Sequence, residues 1–300
     1  MDRFEAMSAF VAVAEAGSFS AASRKLGTPL ATLSRKVSEL EEQLKVRLLS
    51  RSTRQLALTD SGQEYLTVCK RLLDELHDVE RQLSGEYRAP KGELVVSAPI
   101  VFGRLYVMPI VVAFLRAYPD VQVDLRLADS VTNLLEDHID VAVRIGDLPD
   151  SAIMAVRAGD IRHVVCASPA YIAAHGAPAH PSALVDHDCI SCTALQAPHE
   201  WTFKHGNQIE RYKVRARLVV TTAEAAADAA IAGAGVTRLL CYQVARAIGD
   251  GRLALLMRDQ EPNPAPIHLV YPSGRLVPQK LRAFLDFALP RLKAALVFEA

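Results

Sequence analysis

Near the start of the chain, apolar residues recur at intervals of three and four, the signature of helices with one buried face. Phe4, Met7, Phe10, Val11 and Ala14 predict a helix over about 2–16, ended by Gly17. Ser18 is placed to cap a short second helix, 19–26, built on Ala21 and Ala22 and closed by Gly27. A third follows at 28–44, with Leu33, Val37, Leu40 and Leu44 as its stripe. Thr28 stands where an N-cap would, and Pro29 suits the first helical position. Roughly opposite the stripe lie Ala31, Ser34, Arg35 and Ser38, which are short or basic. Two short helices joined by a tight Gly-containing turn make a helix-turn-helix. Leu56 and Leu58 alternate with polar residues as a short strand does, leaving Arg51 and Arg54 at the tip of a basic wing.

From Thr59 the pattern is helical again. Ser61 and Glu64 have capping-box spacing. Leu66, Cys69, Leu73, Leu76 and Leu83 then follow a seven-residue repeat interrupted by Glu80, with Leu72 and Val79 widening the stripe. Such a helix wants a partner, either a second copy of itself or the chain's own second half. Pro90 and Gly92 read as a hinge. Beyond them strand-like and helix-like runs alternate. ELVVSA, VQVDLRL, IDVAVRIG, RHVVCAS, YKVRARLVV, GVTRLL and IHLVY read as strands. Helices are expected at about 104–118, 131–138, 169–175, 223–232, 242–248 and 278–296. This alternation predicts α/β architecture with a mostly parallel sheet.

Half of the 300 residues are hydrophobic and 23% are charged, so the chain is globular and long enough for two or three domains. Its formal net charge is zero but unevenly spread: residues 24–54 hold eight Lys/Arg against three Glu, a net of +5. A basic module on a neutral chain points to nucleic acid, with a solvated surface as the alternative. No secretory signal stands at the N-terminus, and the apolar run between Arg104 and Arg116 contains Pro109 and is too short to span a bilayer. A cytoplasmic protein with reduced cysteines is expected.

GSFSAASRKLG, LSRKVSELEEQL and RLLSRSTRQLALTDSG, in this order and spacing, resemble the DNA-binding half of LysR-type transcriptional regulators. Leu49 stands where the family usually has Phe, and Leu30 and Ala31 where it is often polar. VMPIVVAFLRAYPDVQVDLRL, DHIDVAVRIGDL and AEAAADAAIAGAGVTRLLCYQVARAIGDGRLALLM resemble the effector-binding half. The implied fold is α/β with an all-α, winged-helix N-terminal domain: a winged helix-turn-helix (1–60), a linker and dimerisation helix (61–89), then an effector domain (90–300). That domain would have periplasmic binding protein type II architecture, with one subdomain at about 92–160 and 266–300 and the other at about 161–265. Implied partners are operator DNA, a small and often carboxylate-bearing effector, and a second copy, as dimer or tetramer; no membrane, metal or cofactor is expected. Thr32, Ser34 and Arg35 become candidate contacts to base edges or flanking phosphates, and Arg51 and Arg54 to the backbone or minor groove, with Ser18, Thr28 and Ser38 beside them. Leu66, Leu73, Leu76 and Leu83 become the dimer seam.

In open α/β sheets ligands sit at the carboxyl ends of strands. Ser97 and Ser130 close the first two strands, Arg144 lies late in the third, and Thr193 and Thr222 are candidates from the other subdomain. The helix start around Pro99–Gly103 offers N–H groups to an anion. Each Ser or Thr can equally be a cap, and Arg144 a structural ion pair. Cys189-Ile-Ser-Cys192 lacks the second pair a zinc site needs and reads as strand packing, with a redox pair as the alternative. Gly233-Ala-Gly235 lacks the rest of a dinucleotide fingerprint, and there is no G-x-S-x-G. No enzyme site emerges.

Overall fold

The computed structural model describes residues 2–51, 56–83, 89–130, 133–148, 153–193, 199–206, 208–273 and 277–296 (of 51, 71, 74, 75, 78, 79 and 81–83, the backbone alone). They form two compact units, Met1–Arg88 and Ala89–Ala300.

The first unit opens with α1 (Arg3–Ala16), capped by Asp2, whose carboxylate accepts from the N–H of Phe4 at 2.9 Å, and closed by Gly17 at φ 66°. Its buried face differs from the expected one. Phe4 is 50% exposed, and Ala6, Met7, Ala9, Phe10, Ala12 and Val13 turn inward, the alanines leaving room for crossing helices. In α2 (Phe19–Leu26) the Ser18 hydroxyl accepts from Ala21 N–H at 3.1 Å. Then α3 (Leu30–Leu44) begins two residues later than expected. Thr28 is not its cap. Pro29, with extended ψ of 136°, precedes the helix, and its carbonyl accepts from Thr32 and Leu33. The Thr28 hydroxyl faces back to Leu26 O, and its carbonyl accepts from Ser23 Oγ at 2.7 Å.

The wing pairs β1 (Leu49–Arg51) with β2 (Leu56–Leu58), antiparallel. It is pinned by Glu41, only 5% exposed, whose Oε1 accepts from the N–H groups of Leu48 and Leu49 at 2.8 and 2.9 Å while Oε2 pairs with Arg47 at 3.2 Å. Next, α4 (Asp60–Leu83) starts on Thr59 rather than through a Ser61–Glu64 box: Thr59 Oγ1 accepts from Gly62 N–H at 2.9 Å and donates to Arg47 O at 2.7 Å. Gly62 has to be glycine there, because a Cβ would lie 2.0 Å from Leu48 O.

The second unit opens with β3 (Gly92–Ala98). A continuous helical stretch follows: α5 (Ile100–Phe102), a π-helical turn (Gly103–Val107) and α6 (Met108–Ala117). By length and composition it could cross a membrane. Here Phe102, Val107, Ile110, Val111 and Phe114 bury one face in the main core, and Leu105, Met108, Val112 and Leu115 form an exposed stripe on the other. After β4 (Val121–Leu127), residues 134–138 form turns instead of the expected helix. Side chains there compete for the backbone: Asp137 accepts from Asn133 N–H and Asn133 from Leu135 N–H, and His138 takes φ 53°.

The first sheet continues with β5 (Val141–Ile145) and β6 (Ile153–Ile161). The chain passes to a second sheet at Arg162, entering it with β7 (His163–Ala167), then α7 (Pro169–His175) and β8 (Cys189–Cys192). The run expected as one strand, YKVRARLVV, divides at Val214–Arg215. A hairpin of β9 (Glu200–His205) and β10 (Gln208–Lys213) stands apart from β11 (Ala216–Val220), with Trp201, Phe203 and Val214 packed beneath it. Then come α8 (Ala223–Ile231), β12 (Val236–Leu240), α9 (Cys241–Gly249) and β13 (Ala254–Leu256). The chain returns to the first sheet with β14 (Ala265–Pro272) and ends on α10 (Gln279–Leu296). The sheet orders are β4-β3-β5-β14-β6 and β11-β8-β12-β7-β13. In each, four strands run one way and one runs back, β14 in the first and β7 in the second, so two of the four pairings are parallel and two antiparallel, and both sheets are mixed rather than mostly parallel.

Candidate functional site

In the first unit, α3 buries Leu33, Val37 and Leu40 against α1 and exposes Leu30, Ala31, Arg35 and Ser38; Thr32 and Ser34 are half-buried. The expected reading face is thus the solvent face at the start of the helix. Arg35 is held by Glu39, one turn on, at 3.2 Å, and Lys36 ties α3 to α1 through Glu5 at 2.8 Å. Ser18 spends its oxygen on the α2 cap. Arg51 ends β1, but its side chain and the whole of Arg54 lie outside the described residues.

In the second unit, the expected effector residues fall in two groups. Ser97 is buried at the carboxyl end of β3, in register with Arg126 and Ala142, and Ser130 is exposed just past β4. Arg144 is half-buried on β5 opposite His268; burial lowers its pKa, partly offset by the carboxylate of Asp137. Across the second sheet, Thr193 follows β8 and donates Oγ1 to Val220 O at 3.4 Å, and Thr222 caps α8 by accepting from Ala225 N–H at 3.3 Å. Thr222 therefore has the structural role that was its alternative. The helix start at Ile100 is already occupied. Asp129 Oδ1 accepts from Ile100 N–H at 2.9 Å, so that donor is not open to an anionic ligand.

The subdomains meet on aromatic rings. Tyr242, at the start of α9, packs edge-on against Phe102 and Tyr106 with centroids 5.5 and 5.8 Å apart. Cys189 and Cys192 face separate cores on the two sides of β8, and burial, then the Asp188 carboxylate, push the Cys189 thiol up to about 12. Such a thiol stays protonated and unreactive at neutral pH.

Residues 4–63 match the family model of the bacterial regulatory helix-turn-helix proteins of the lysR family, and residues 88–293 match the LysR substrate binding domain. The chain belongs to the LysR family of transcriptional regulators. This LysR-type regulator is 37% identical over 287 residues to the HTH-type transcriptional regulator PtxR of Pseudomonas aeruginosa, covering 93% of this chain and 89% of that protein. It is 33% identical over 289 residues to CrgA of Neisseria meningitidis, covering 96% of each. Among solved structures, CrgA superposes with a TM-score of 0.61 at 32% identity, covering 96% of this chain and 98% of that one. The Vibrio cholerae virulence activator AphB gives 0.61 at 28%, covering 96% and 99%. The regulator is thus a DNA-binding transcriptional regulator with an effector-binding domain.

Part of the expected dimer seam of this LysR-type regulator is covered within the chain. Leu66 and Leu73 are 9% and 8% exposed and lie, with Cys69, in the core of the first unit beside Phe10 and Val13. They pack on the chain's own α1. Leu76 is half-buried, and the Leu83 side chain is outside the described residues. Asp129 and Tyr242 escaped the sequence reading. Only the strand-end rule pointed near Asp129, and nothing local links it to a tyrosine on a distant helix.

Proposed function

We propose that this regulator binds operator DNA as a homo-oligomer in the cytoplasm and that a small molecule held between the subdomains of its second unit controls that binding. The observation that carries the DNA reading is α3: its apolar stripe is buried, and its N-terminal solvent face presents Ala31, Arg35 and Ser38. Helix-turn-helix proteins read base edges with that part of the second helix. Arg35 is the strongest base contact, bidentate to guanine, and each such contact contributes about 1–3 kcal/mol of discrimination. Thr32, Ser34 and Ser38 flank it, and Thr28, Arg51 and Arg54 add backbone contacts. Leu30 and Ala31 suit a thymine methyl group. The oligomer draws on the stripe Leu105, Met108, Val112 and Leu115, which is apolar, continuous along one helix and exposed. Ser97, Ser130, Arg144, Thr193 and Thr222 lie at the strand ends that border the ligand.

Gel-shift titration on the DNA upstream of the regulator's own coding sequence, and on a scrambled duplex, tests the proposal. Arg35→Ala is expected to cut specific affinity at least tenfold and to change scrambled-DNA affinity little. Equal loss on both duplexes would make Arg35 a phosphate contact.

A further inference from the structure

The fold leaves two polar atoms unsatisfied where the subdomains meet. Asp129 uses Oδ1 to hold Ile100 N–H, but its Oδ2 is buried and has no hydrogen-bond partner among the described residues. Tyr242 comes from the other subdomain and is 4% exposed, and its hydroxyl, with the Gln243 side chain near it, completes no well-formed hydrogen bond among them. Both border the same helix start: Asp129 holds Ile100 N–H, and the Tyr242 ring packs on Phe102, two residues on. Burial first, and the Asp129 charge second, raise the Tyr242 phenol above its ordinary pKa. Buried polar atoms of native proteins are nearly always paired. Two exceptions at one junction mark a place where a further group completes the bonding.

The chemistry of that group follows from the atoms it meets. An ionised carboxylate oxygen only accepts, so its partner must donate. A bare carboxylate there would put like charge beside Asp129, and the first N–H of the adjoining helix, already held by Asp129, cannot offset it. The phenol hydroxyl can donate or accept and suits either case. Phe102, Tyr106 and Tyr242 pack ring on ring beside this point, so an aromatic body suits it. We propose that the effector of this regulator carries a hydrogen-bond donor, an ammonium or hydroxyl group on a planar apolar body, and that Asp129 Oδ2 accepts from it beside the Tyr242 hydroxyl. This rests on the reading that the effector sits between the subdomains, and it replaces the expected anion with a donor. Because Tyr242 is so deeply buried, the ligand enters as the subdomains part.

Three probes test it on the full-length protein: benzylamine, benzyl alcohol and benzoate, titrated with tyrosine-ring carbon labelling so that the Tyr242 resonance, assigned through Tyr242→Phe, reports occupancy. Benzylamine is expected to shift that resonance at concentrations at least tenfold below benzoate, with benzyl alcohol between them. Asp129→Asn keeps an acceptor for Ile100 N–H but loses the charge, and it should erase the preference for benzylamine over benzoate. Benzoate binding at Tyr242 as tightly as benzylamine, or a preference unchanged in Asp129→Asn, would overturn the donor assignment and leave the cleft reading standing. If no probe moves Tyr242 in either protein, both the cleft reading and the donor assignment fall.

Discussion

His163 sits on β7 opposite Leu240, where burial and then the positive charge of Arg238 hold its imidazole at about 4. Arg238 is itself buried on the neighbouring strand, with Nη1 donating to Thr202 O at 3.4 Å and its own pKa brought down to about 10 by burial. The histidine is thus neutral in the folded chain, whereas the unfolded chain takes up a proton near 6.5. Its contribution to stability is complete above about 6.5, falls as pH drops from there to about 4, and levels off below. Between pH 7 and pH 5 the loss from this one group amounts to about 2 kcal/mol. Denaturant unfolding of the wild type and of His163→Gln at both pH values checks it. The second unit of the wild type should weaken more on acidification than the variant, by about that amount. Equal slopes would mean that His163 is protonated in the fold. No sequence pattern foretells this, because both the burial and the arginine that adds to it come from strands that are adjacent only after folding.

At the scale of elements, α4 and the helix that ends in α6 differ in how far the chain covers their apolar faces. The leucine repeat of α4 looks like a dimer seam, but Leu66 and Leu73 already pack on α1. The helix that ends in α6, whose sequence suggested no partner, keeps an apolar stripe in solvent. Leu73→Glu is therefore expected to unfold the first unit, since a buried leucine loses about 2–5 kcal/mol on truncation alone and a buried charge adds to that. Val112→Glu should leave the fold intact and shift the protein to a smaller species in sedimentation velocity, with circular dichroism unchanged. A folded Leu73→Glu monomer and a wild-type-sized Val112→Glu would reverse the assignment. The helices of the first unit were legible because 3.6-residue periodicity and Gly or Ser boundaries are local signals. The α3 stripe was legible too, but which neighbour covers the stripes of α1 and α4 was not, because that depends on which helix arrives there. The same distinction explains the second unit. Its strand ends placed Ser97, Ser130, Arg144, Thr193 and Thr222 within their subdomains. The loop at 133–138 was misread because Asn133 and Asp137 bond the backbone themselves, and YKVRARLVV because its apolar alternation runs on through two strands that belong to different sheets.

At the scale of the whole second unit, the two subdomains are joined by two strands of chain that lie side by side. β6 and β14 pair along their length in the first sheet, the chain leaves at Arg162 and comes back across Met257–Pro264, and Arg162 Nη1 meets Glu261 Oε2 at 3.0 Å. The pair is lopsided: Arg162 Nε and Glu261 Oε1 are both buried without a partner among the described residues. Arg162 also accepts, through its carbonyl, the N–H of Cys241, the first residue of α9, at 2.9 Å. One short helix therefore touches the hinge at its first residue and the inter-subdomain junction at its second, Tyr242. Any rotation of one subdomain against the other has to pass through these bonds. Glu261→Gln keeps the shape but removes the charge that balances a half-buried guanidinium, which by analogy with broken buried pairs costs about 1–3 kcal/mol once its partial exposure is allowed for. The expected result is a drop in melting temperature of a few degrees and faster amide hydrogen exchange at Cys241 and Tyr242, with exchange in α10 unchanged. Faster exchange throughout the unit would instead describe general destabilisation, and unchanged exchange at Cys241 would show that the hinge is held by the paired strands alone.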